Sequence, residues 1–183
     1  KIYSKDLGPG NCLIDSWVRK NSNFKFDFNG NLAKSGEVNQ IILEQAQELY
    51  ANRINKEKLS FDVNDFDISF ARGLNLNDGS ATLTDFTSKI IAETLSEYLF
   101  NLNCNVKNIL ICGGGRKNKL LIEKIKKLFS KSFIIQLIDE YGFDGDYIES
   151  QAFAFIAVRS FKKLPITFPN TTGCEKPCIG GDL

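Results

Sequence analysis

Three carboxylates lie close together late in the chain, at Asp144, Asp146 and Glu149 in the stretch DGDYIE. At a helix start they would meet the positive end of the helix dipole, and Asp146 and Glu149 have the spacing of a capping box. The same groups could instead do chemistry. Glu149 could accept hydrogen bonds from substrate hydroxyls, and either aspartate could act as an indirect magnesium ligand. The spacing alone leaves both interpretations open.

A run of three glycines, Gly113, Gly114 and Gly115, lies between the apolar segment NILIC and a predicted helix, with Arg116 and Asn118 next to it. Glycines let a ligand approach the backbone, and free N–H groups at a helix start attract phosphate or ribose oxygens. The run fits neither the dinucleotide fingerprint nor the GK[ST] ending of a phosphate loop. It indicates either a nucleotide-binding turn or a tight connection that binds nothing.

The stretch KDLGPGN near the amino end is a third candidate, with Asp6, Gly8, Pro9, Gly10 and Asn11 directly before an amphipathic run. Proline restricts the backbone while the glycines permit close approach. The pattern predicts a rigid turn that leads into a helix.

Composition excludes several kinds of site. The 183 residues include no histidine, so histidine-based triads, histidine-ligated zinc and a histidine general base are excluded, and acid–base chemistry falls to carboxylates. Five cysteines occur without framework spacing, which favours free thiols in a reducing, cytoplasmic compartment. Cys174 and Cys178 supply only half of a zinc site.

The overall charge and hydropathy are those of a soluble globular domain. Hydrophobic residues make up 43%, charged residues 25%, and the net charge is +1, so we expect neither nucleic acid nor a membrane surface as partner. No apolar run has the length of a bilayer span.

Hydrophobic periodicity predicts the elements that position these residues. Helices are expected from Cys12 to about Lys20 and from Glu37 to about Asn55, with a short element near 64–71. A long helix follows, with Thr82 or Thr84 as its expected N-cap.

The second half of the chain has a different pattern. A strand at 108–112, the glycine turn, a helix at 118–129 and a strand at 132–138 form a predicted unit over about residues 107–139. The final helix, at about 147–163, is apolar nearly all round, which predicts that it is buried.

Several segments together resemble one family. They are DLGPGNCLIDSW, FDFNGNLAKSG, ATLTDFTSKII, ILICGGGRKNKLL, DGDYIESQAFAFIAVR and LPITFPNTTG, and they follow the family's order over almost the whole chain. They are similar to the 1,6-anhydro-N-acetylmuramic acid kinases of bacterial cell-wall recycling. The resemblance implies an α/β chain of the actin-like, sugar-kinase (ribonuclease H-like) fold.

The resemblance also implies an activity. Such enzymes use ATP and Mg²⁺ to phosphorylate the 6-oxygen of 1,6-anhydro-N-acetylmuramic acid while water opens the anhydro bridge, which yields N-acetylmuramic acid 6-phosphate. Carried over by position, the nucleotide side comprises Gly113, Gly114, Gly115, Arg116 and Asn118. The substrate-side candidates are Glu149, Asp6 and Asn11, and the cleft turn is Gly8, Pro9 and Gly10.

The motifs match only the family's C-terminal lobe, which implies a single partial domain over residues 1–183, truncated at its first hairpin. We expect the general base to lie outside this chain, no direct metal ligand within it, and the isolated chain to be inactive. It would pair with an N-terminal half or with a second copy. The alternatives are a non-catalytic remnant that acts as a binding or dimerisation module, and another sugar kinase of the same fold.

Overall fold

The computed structural model describes residues 2–54, 65–102, 106–129 and 133–181, with side chains throughout except at 52–54. The α-helices are α1 (Cys12–Asn21), α2 (Asn31–Lys34), α3 (Gln40–Ile54), α4 (Leu76–Asn101), α5 (Lys119–Leu128), α6 (Ile148–Phe161) and α7 (Pro169–Thr172). The strands are β1 (Asn108–Ile111) and β2 (Ile134–Leu137). Short 3₁₀ helices span Phe28–Gly30, Ile68–Ala71, Gly114–Lys117 and Ile138–Tyr141.

Helix α4 is the centre of the fold, because α1, α2, α3 and α5 all pack against it. The apolar stripe predicted for α1 is confirmed, since its four large apolar side chains are buried. The large apolar side chains that are less than 2% exposed are Ile14, Val18, Leu43, Leu83, Phe86, Ile90 and Leu121. The periodicity of α1 therefore identified its buried face, whereas on α3 the apolar residues Ile41 and Leu49 are exposed and Leu43 is buried.

The predicted start of the long helix is wrong. Helix α4 begins at Leu76, where the Asn75 side chain accepts a hydrogen bond from the Asp78 N–H at 2.9 Å. Thr82 and Thr84 lie inside the helix, and their hydroxyls donate to backbone carbonyls four residues earlier. Because each hydroxyl has this backbone partner, the two threonines can be buried within the helix. In the sequence alone, such threonines cannot be distinguished from N-cap residues.

The predicted strand–turn–helix–strand unit is confirmed. Strands β1 and β2 are parallel, with Asn108 opposite Ile134 and Ile111 opposite Leu137, and α5 connects them. The predicted start of β2 at residue 132 lies outside the described residues. One face of this sheet packs on the core through Ile135.

The other face of the sheet is open. Leu110 is 45% exposed and Ile134 is 53% exposed, although parallel sheets are normally covered on both faces. A continuous apolar run such as NILIC is typical of a strand buried on both faces, but in the described chain the sheet is buried on one face only. The sheet of the described chain has two strands, and Leu110 and Ile134 on its second face remain about half exposed.

The predicted burial of the last helix is also wrong. No residue of α6 is buried, and Phe153 and Phe161 are 64% and 72% exposed. The helix was predicted to be buried because it is apolar all round, but that argument holds only if another element covers it. Within the described residues no such element is present.

The amino-terminal segment of the described chain contacts α7. The Ser4 N–H donates to the carbonyl of Asn170 at 3.3 Å. The carboxyl-terminal tail is tied back to α6, since Arg159 Nε donates to the carbonyl of Pro165 at 2.7 Å. None of the helices in the described ranges combines the length and the apolarity that a membrane span requires.

Candidate functional site

The glycine turn joins the end of β1 to α5. Gly113 has φ 76° and ψ 178°, which favours glycine because a Cβ is strained at positive φ. Gly114 and Gly115 do not share this reason, since neither has a positive φ. A Cβ added at either would meet no atom within 4 Å. Neither backbone conformation nor packing within the described chain requires glycine at these two positions.

Arg116 is nearly buried beside this turn, with its side chain 7% exposed. Its guanidinium forms a bidentate pair with Asp139, Nε to Oδ2 at 2.8 Å and Nη2 to Oδ1 at 3.0 Å. Nη1 also donates to Asp146 Oδ1 at 2.6 Å. These carboxylates raise the pKa of Arg116, and the guanidinium lowers the pKa of Asp139 to about 2 and that of Asp146 below its usual value.

Asn118 caps α5. Its side chain accepts from the Leu121 N–H at 3.2 Å and the residue is 3% exposed. The turn before α2 lies against this helix start, since a Cβ on Gly30 would be 2.7 Å from Asn118 Oδ1. Sequence reasoning placed Asn118 at a helix start but missed its contact with Gly30.

The loop at residues 144–146, here called the DGD loop, also lies beside the glycine turn. The Gly113 N–H donates to the Gly145 carbonyl at 2.9 Å. Asp139 completes the group, and sequence reasoning missed it. One signal could have found it: Asp139 follows β2 at the carboxyl end of a parallel sheet, where ligand-binding groups collect.

Glu149 lies in the first turn of α6 and is exposed. No side chain caps this helix at Tyr147, and the hydrogen bond within the loop runs from the Asp146 N–H to Asp144 Oδ1. The capping-box interpretation of Asp146 and Glu149 is therefore not what the structure shows. The proposed role of Glu149 toward a substrate stays a prediction.

The turn at residues 8–11 is held by α4. The Leu7 carbonyl accepts from the Thr94 hydroxyl at 2.7 Å, and a Cβ on Gly8 would lie 3.0 Å from Ile91 Cγ1. Pro9 is buried and Gly10 has φ 55°. The rigid turn before a helix is confirmed as structure.

The two substrate-side candidates near this turn differ in exposure. Asp6 is exposed, whereas Asn11 Oδ1 is buried and has no hydrogen-bond partner in the described chain. An acceptor without a donor is destabilising unless a donor arrives from elsewhere. Asn11 thus has a free acceptor, and its role toward a substrate stays a prediction.

No cluster of three metal-ligating side chains occurs among the described residues. Asp144 and Asp146 lie against Arg116, and Asp146 also pairs with Lys117 at 2.5 Å. Such carboxylates do not fit a direct magnesium site. The described cysteines, Cys174 and Cys178 included, are free thiols, and Cys104 lies outside the described residues.

Comparison with known proteins identifies relatives of one kind. The sequence model of the family described as anhydro-N-acetylmuramic acid kinase matches residues 1–183. A protein of that name from Pelagibacter ubique is 48% identical over 182 residues, which cover 100% of this chain and 48% of the relative. The kinase of Rhodospirillum rubrum is 36% identical, over 96% of this chain and 45% of its own length. That of Brucella canis is 38% identical, over 98% and 47%.

The chain thus spans about half the length of the curated relatives it matches. The family is one of sugar kinases, in agreement with the mixed α/β structure, which is mostly helical with a small parallel sheet. The match over the whole chain, together with the identities to curated relatives, confirms the resemblance found in the motifs: the chain belongs to the anhydro-N-acetylmuramic acid kinase family.

Proposed function

We propose that this chain supplies the nucleotide-facing lobe of a kinase for 1,6-anhydro-N-acetylmuramic acid. The reaction consumes ATP, opens the anhydro bridge with water and places the phosphoryl group on the sugar's 6-oxygen. The product is N-acetylmuramic acid 6-phosphate, and the setting is peptidoglycan recycling in the cytoplasm. Family membership supports the reaction class, and the names of the relatives support the sugar.

The observation that carries the nucleotide assignment is the open space around Gly114 and Gly115. Glycine in a helical turn is destabilising by about 0.5–1 kcal/mol relative to alanine. These two glycines lie in the 3₁₀ helix Gly114–Lys117, and nothing inside the described chain requires them. A ligand that approaches the backbone from outside accounts for both residues.

We assign the residues of the chain to positioning roles. The glycine turn would face the adenosine side of the nucleotide, and Asn118 would fix the start of α5 beneath it. Glu149, Asp6 and Asn11 are the candidates for contacts with the sugar. No residue of this chain is assigned as the general base.

ATP and Mg²⁺ are proposed on family grounds. Magnesium, when bound with ATP, offsets phosphate charge during transfer of the phosphoryl group. Because Asp144 and Asp146 are paired with cations of the chain itself, we assign no magnesium ligand here.

The exposed apolar surfaces indicate a partner. Helix α6 presents Phe153 and Phe161, and the open sheet face presents Leu110 and Ile134. Exposed clusters of large apolar side chains mark interaction sites. We propose that the rest of a family kinase, the half that this chain does not match, covers it, and that the chain alone is inactive.

Two measurements test the function. Calorimetric titration with ATP and Mg²⁺ should detect binding by the chain and weaker binding by Gly114→Val, which fills the open space. Co-expression with the half of a family kinase that this chain does not match should give phosphorylation of 1,6-anhydro-N-acetylmuramic acid, and the chain alone should give none.

Other outcomes contradict parts of the proposal. Activity of the isolated chain would exclude the need for a partner. Absence of ATP binding would favour a non-catalytic binding or dimerisation module, the alternative that the exposed α6 supports. Activity of the complex on another sugar alone would indicate a different sugar kinase of the same fold.

A further inference from the structure

The glycine turn and the DGD loop meet at Arg116, and both backbone and side-chain hydrogen bonds join them. The Gly113 N–H donates to the Gly145 carbonyl at 2.9 Å. Arg116 Nη1 donates to the Gly113 carbonyl at 3.1 Å. The glycine turn is therefore attached to the DGD loop through both sides of Gly113.

Most N–H donors of the guanidinium are used within the chain itself. Asp139 accepts hydrogen bonds from Nε and Nη2 in a bidentate pair, and Asp146 accepts one from Nη1. Asp144 Oδ1 lies 3.6 Å from Nη2. A planar fork of donors suits this arrangement, whereas a lysine ammonium would not bridge the same carboxylates. Arg116 therefore has little capacity left to bind a ligand directly.

Gly145 is required by the same cluster. A Cβ at this position would lie 2.4 Å from Arg116 Nε, so the space of the missing side chain is occupied by the guanidinium. This glycine has an internal reason that Gly114 and Gly115 lack. The DGD loop therefore packs closely against the Arg116 guanidinium, whereas Gly114 and Gly115 of the glycine turn face open space.

We propose that Arg116 is a positioning residue, which fixes the glycine turn against the loop before α6 so that the nucleotide turn and Glu149 keep one relative placement. The inference rests on the proposed function, because it assumes that the turn binds a nucleotide. It reassigns Arg116 from a direct nucleotide contact to a clamp between two parts of the site. Asp139 is its main partner.

The test compares Arg116→Gln, Arg116→Lys and Lys117→Gln in the 183-residue chain. Lys117 is the matched control, because it is the next cation along the chain and pairs with Asp146 but not with Asp139. Three quantities are measured: hydrogen exchange of the Gly113 amide, the dissociation constant of ATP with Mg²⁺, and the thermal midpoint by circular dichroism.

Loss of the clamp should free the Gly113 amide and misplace the turn. For both Arg116 variants we expect Gly113 exchange to be faster by about tenfold or more and ATP binding to be weaker by a similar factor. Lysine should not rescue either quantity, because it keeps the charge and loses the fork. Lys117→Gln should change Gly113 exchange by less than about twofold.

The outcomes separate this inference from the proposed function. If the wild type binds ATP and Arg116→Gln binds it equally well, the positioning role is wrong and the proposed function stands. The role is also wrong if Gly113 exchange is unchanged, or if ATP binding falls only in proportion to the thermal midpoint. If the wild type binds no ATP, both fail, and faster exchange in Arg116→Gln then identifies a structural ion cluster only.

Discussion

Different glycines of this chain are required for different physical reasons. Gly113 has a positive φ, and Gly145 leaves room for a guanidinium. Gly114 and Gly115 have neither reason. At the residue scale, candidate ligand-binding glycines are therefore those that the chain itself does not need.

The first prediction concerns Gly115→Ala. Because a Cβ there meets open space, the unfolding free energy should stay equal or rise by about 0.5–1 kcal/mol, while the affinity for ATP falls. Urea denaturation and calorimetric titration measure the two effects. Gly145→Ala is the contrast, since its Cβ collides with Arg116 and should lower stability. Unchanged ATP affinity in Gly115→Ala would contradict the nucleotide assignment of this turn.

The second prediction concerns pH. Arg116 holds the pKa of Asp139 at about 2 in the folded chain, below its unfolded value of about 3.9. The unfolded state then binds the proton more readily, so the stabilising contribution is complete above about pH 4 and is lost as pH falls toward 2. Asp139→Asn should flatten the stability profile in this window.

Urea unfolding of the wild type and of Asp139→Asn between pH 5 and pH 2 measures the difference between their stability profiles. The other groups that face Arg116 are Asp144 and Asp146, with Lys117 beside Asp146. The pKa of Asp146 is also lowered, so some pH dependence should remain in the variant. Parallel profiles for the two proteins would show that the Arg116–Asp139 pair does not contribute.

At the scale of elements, the crossing of α1 and α4 depends on one close contact. A Cβ on Gly79 would be 2.2 Å from Trp17 Cε2, and the Trp17 indole N–H donates to the Leu76 carbonyl at 3.0 Å. The first turn of α4 must therefore lie against the indole ring. This contact holds the start of α4, the element on which α1, α2, α3 and α5 pack.

The third prediction is that Gly79→Ala destabilises the fold by about 1–3 kcal/mol, the usual range for overpacking. The chain has a single tryptophan, so its fluorescence reports this contact directly during urea unfolding. Gly114→Ala is the matched control, because it adds the same methyl group where no atom lies within 4 Å. Equal stability of the two variants would mean that α1 and α4 adjust without cost.

The same elements show how far sequence reasoning reaches. Periodicity identified α1, α3, α5, β1 and β2, because each has an apolar face that packs inside this chain. It misplaced the start of α4, since buried threonines that bond within a helix look like caps. It also predicted burial for α6, because an apolar sequence cannot show whether its cover lies in the same chain.

The candidate site was predictable in part. The glycine turn, Asn118 and the DGD loop were found because glycine runs and helix starts are local patterns. The pairing of Arg116 with Asp139 was not found, because 23 residues separate them along the chain. Contacts of this range depend on the parallel pairing of β1 and β2, which brings the strand ends to one edge.

At the scale of the whole molecule, α6 and the open sheet face are two of the surfaces that expose large apolar side chains. The fourth prediction is that Phe153→Ser combined with Phe161→Ser leaves the stability of the isolated chain within about 0.5 kcal/mol, as for other exposed sites. The same pair should prevent the complex with the other half of a family kinase. Co-purification and thermal denaturation measure the two effects.

Phe100→Ser is the matched control, because Phe100 is 84% exposed and lies on α4. It should leave the complex intact. A complex that forms equally well with both α6 phenylalanines replaced would show that α6 is not the surface covered by the partner.

The hydrogen bond from Ser4 to the Asn170 carbonyl has a consequence for protein engineering. The carboxyl-terminal tail is also bound to α6, through the hydrogen bond from Arg159 to the Pro165 carbonyl. A polypeptide fused to the amino end would therefore be attached only a few residues from Ser4, close to the tail and to α6. A tether that begins near its docking surface gives a high effective concentration, and a short flexible linker is enough when the span is small. Fusion at the amino end should therefore convert a bimolecular assembly into an intramolecular one whose formation no longer depends on protein concentration.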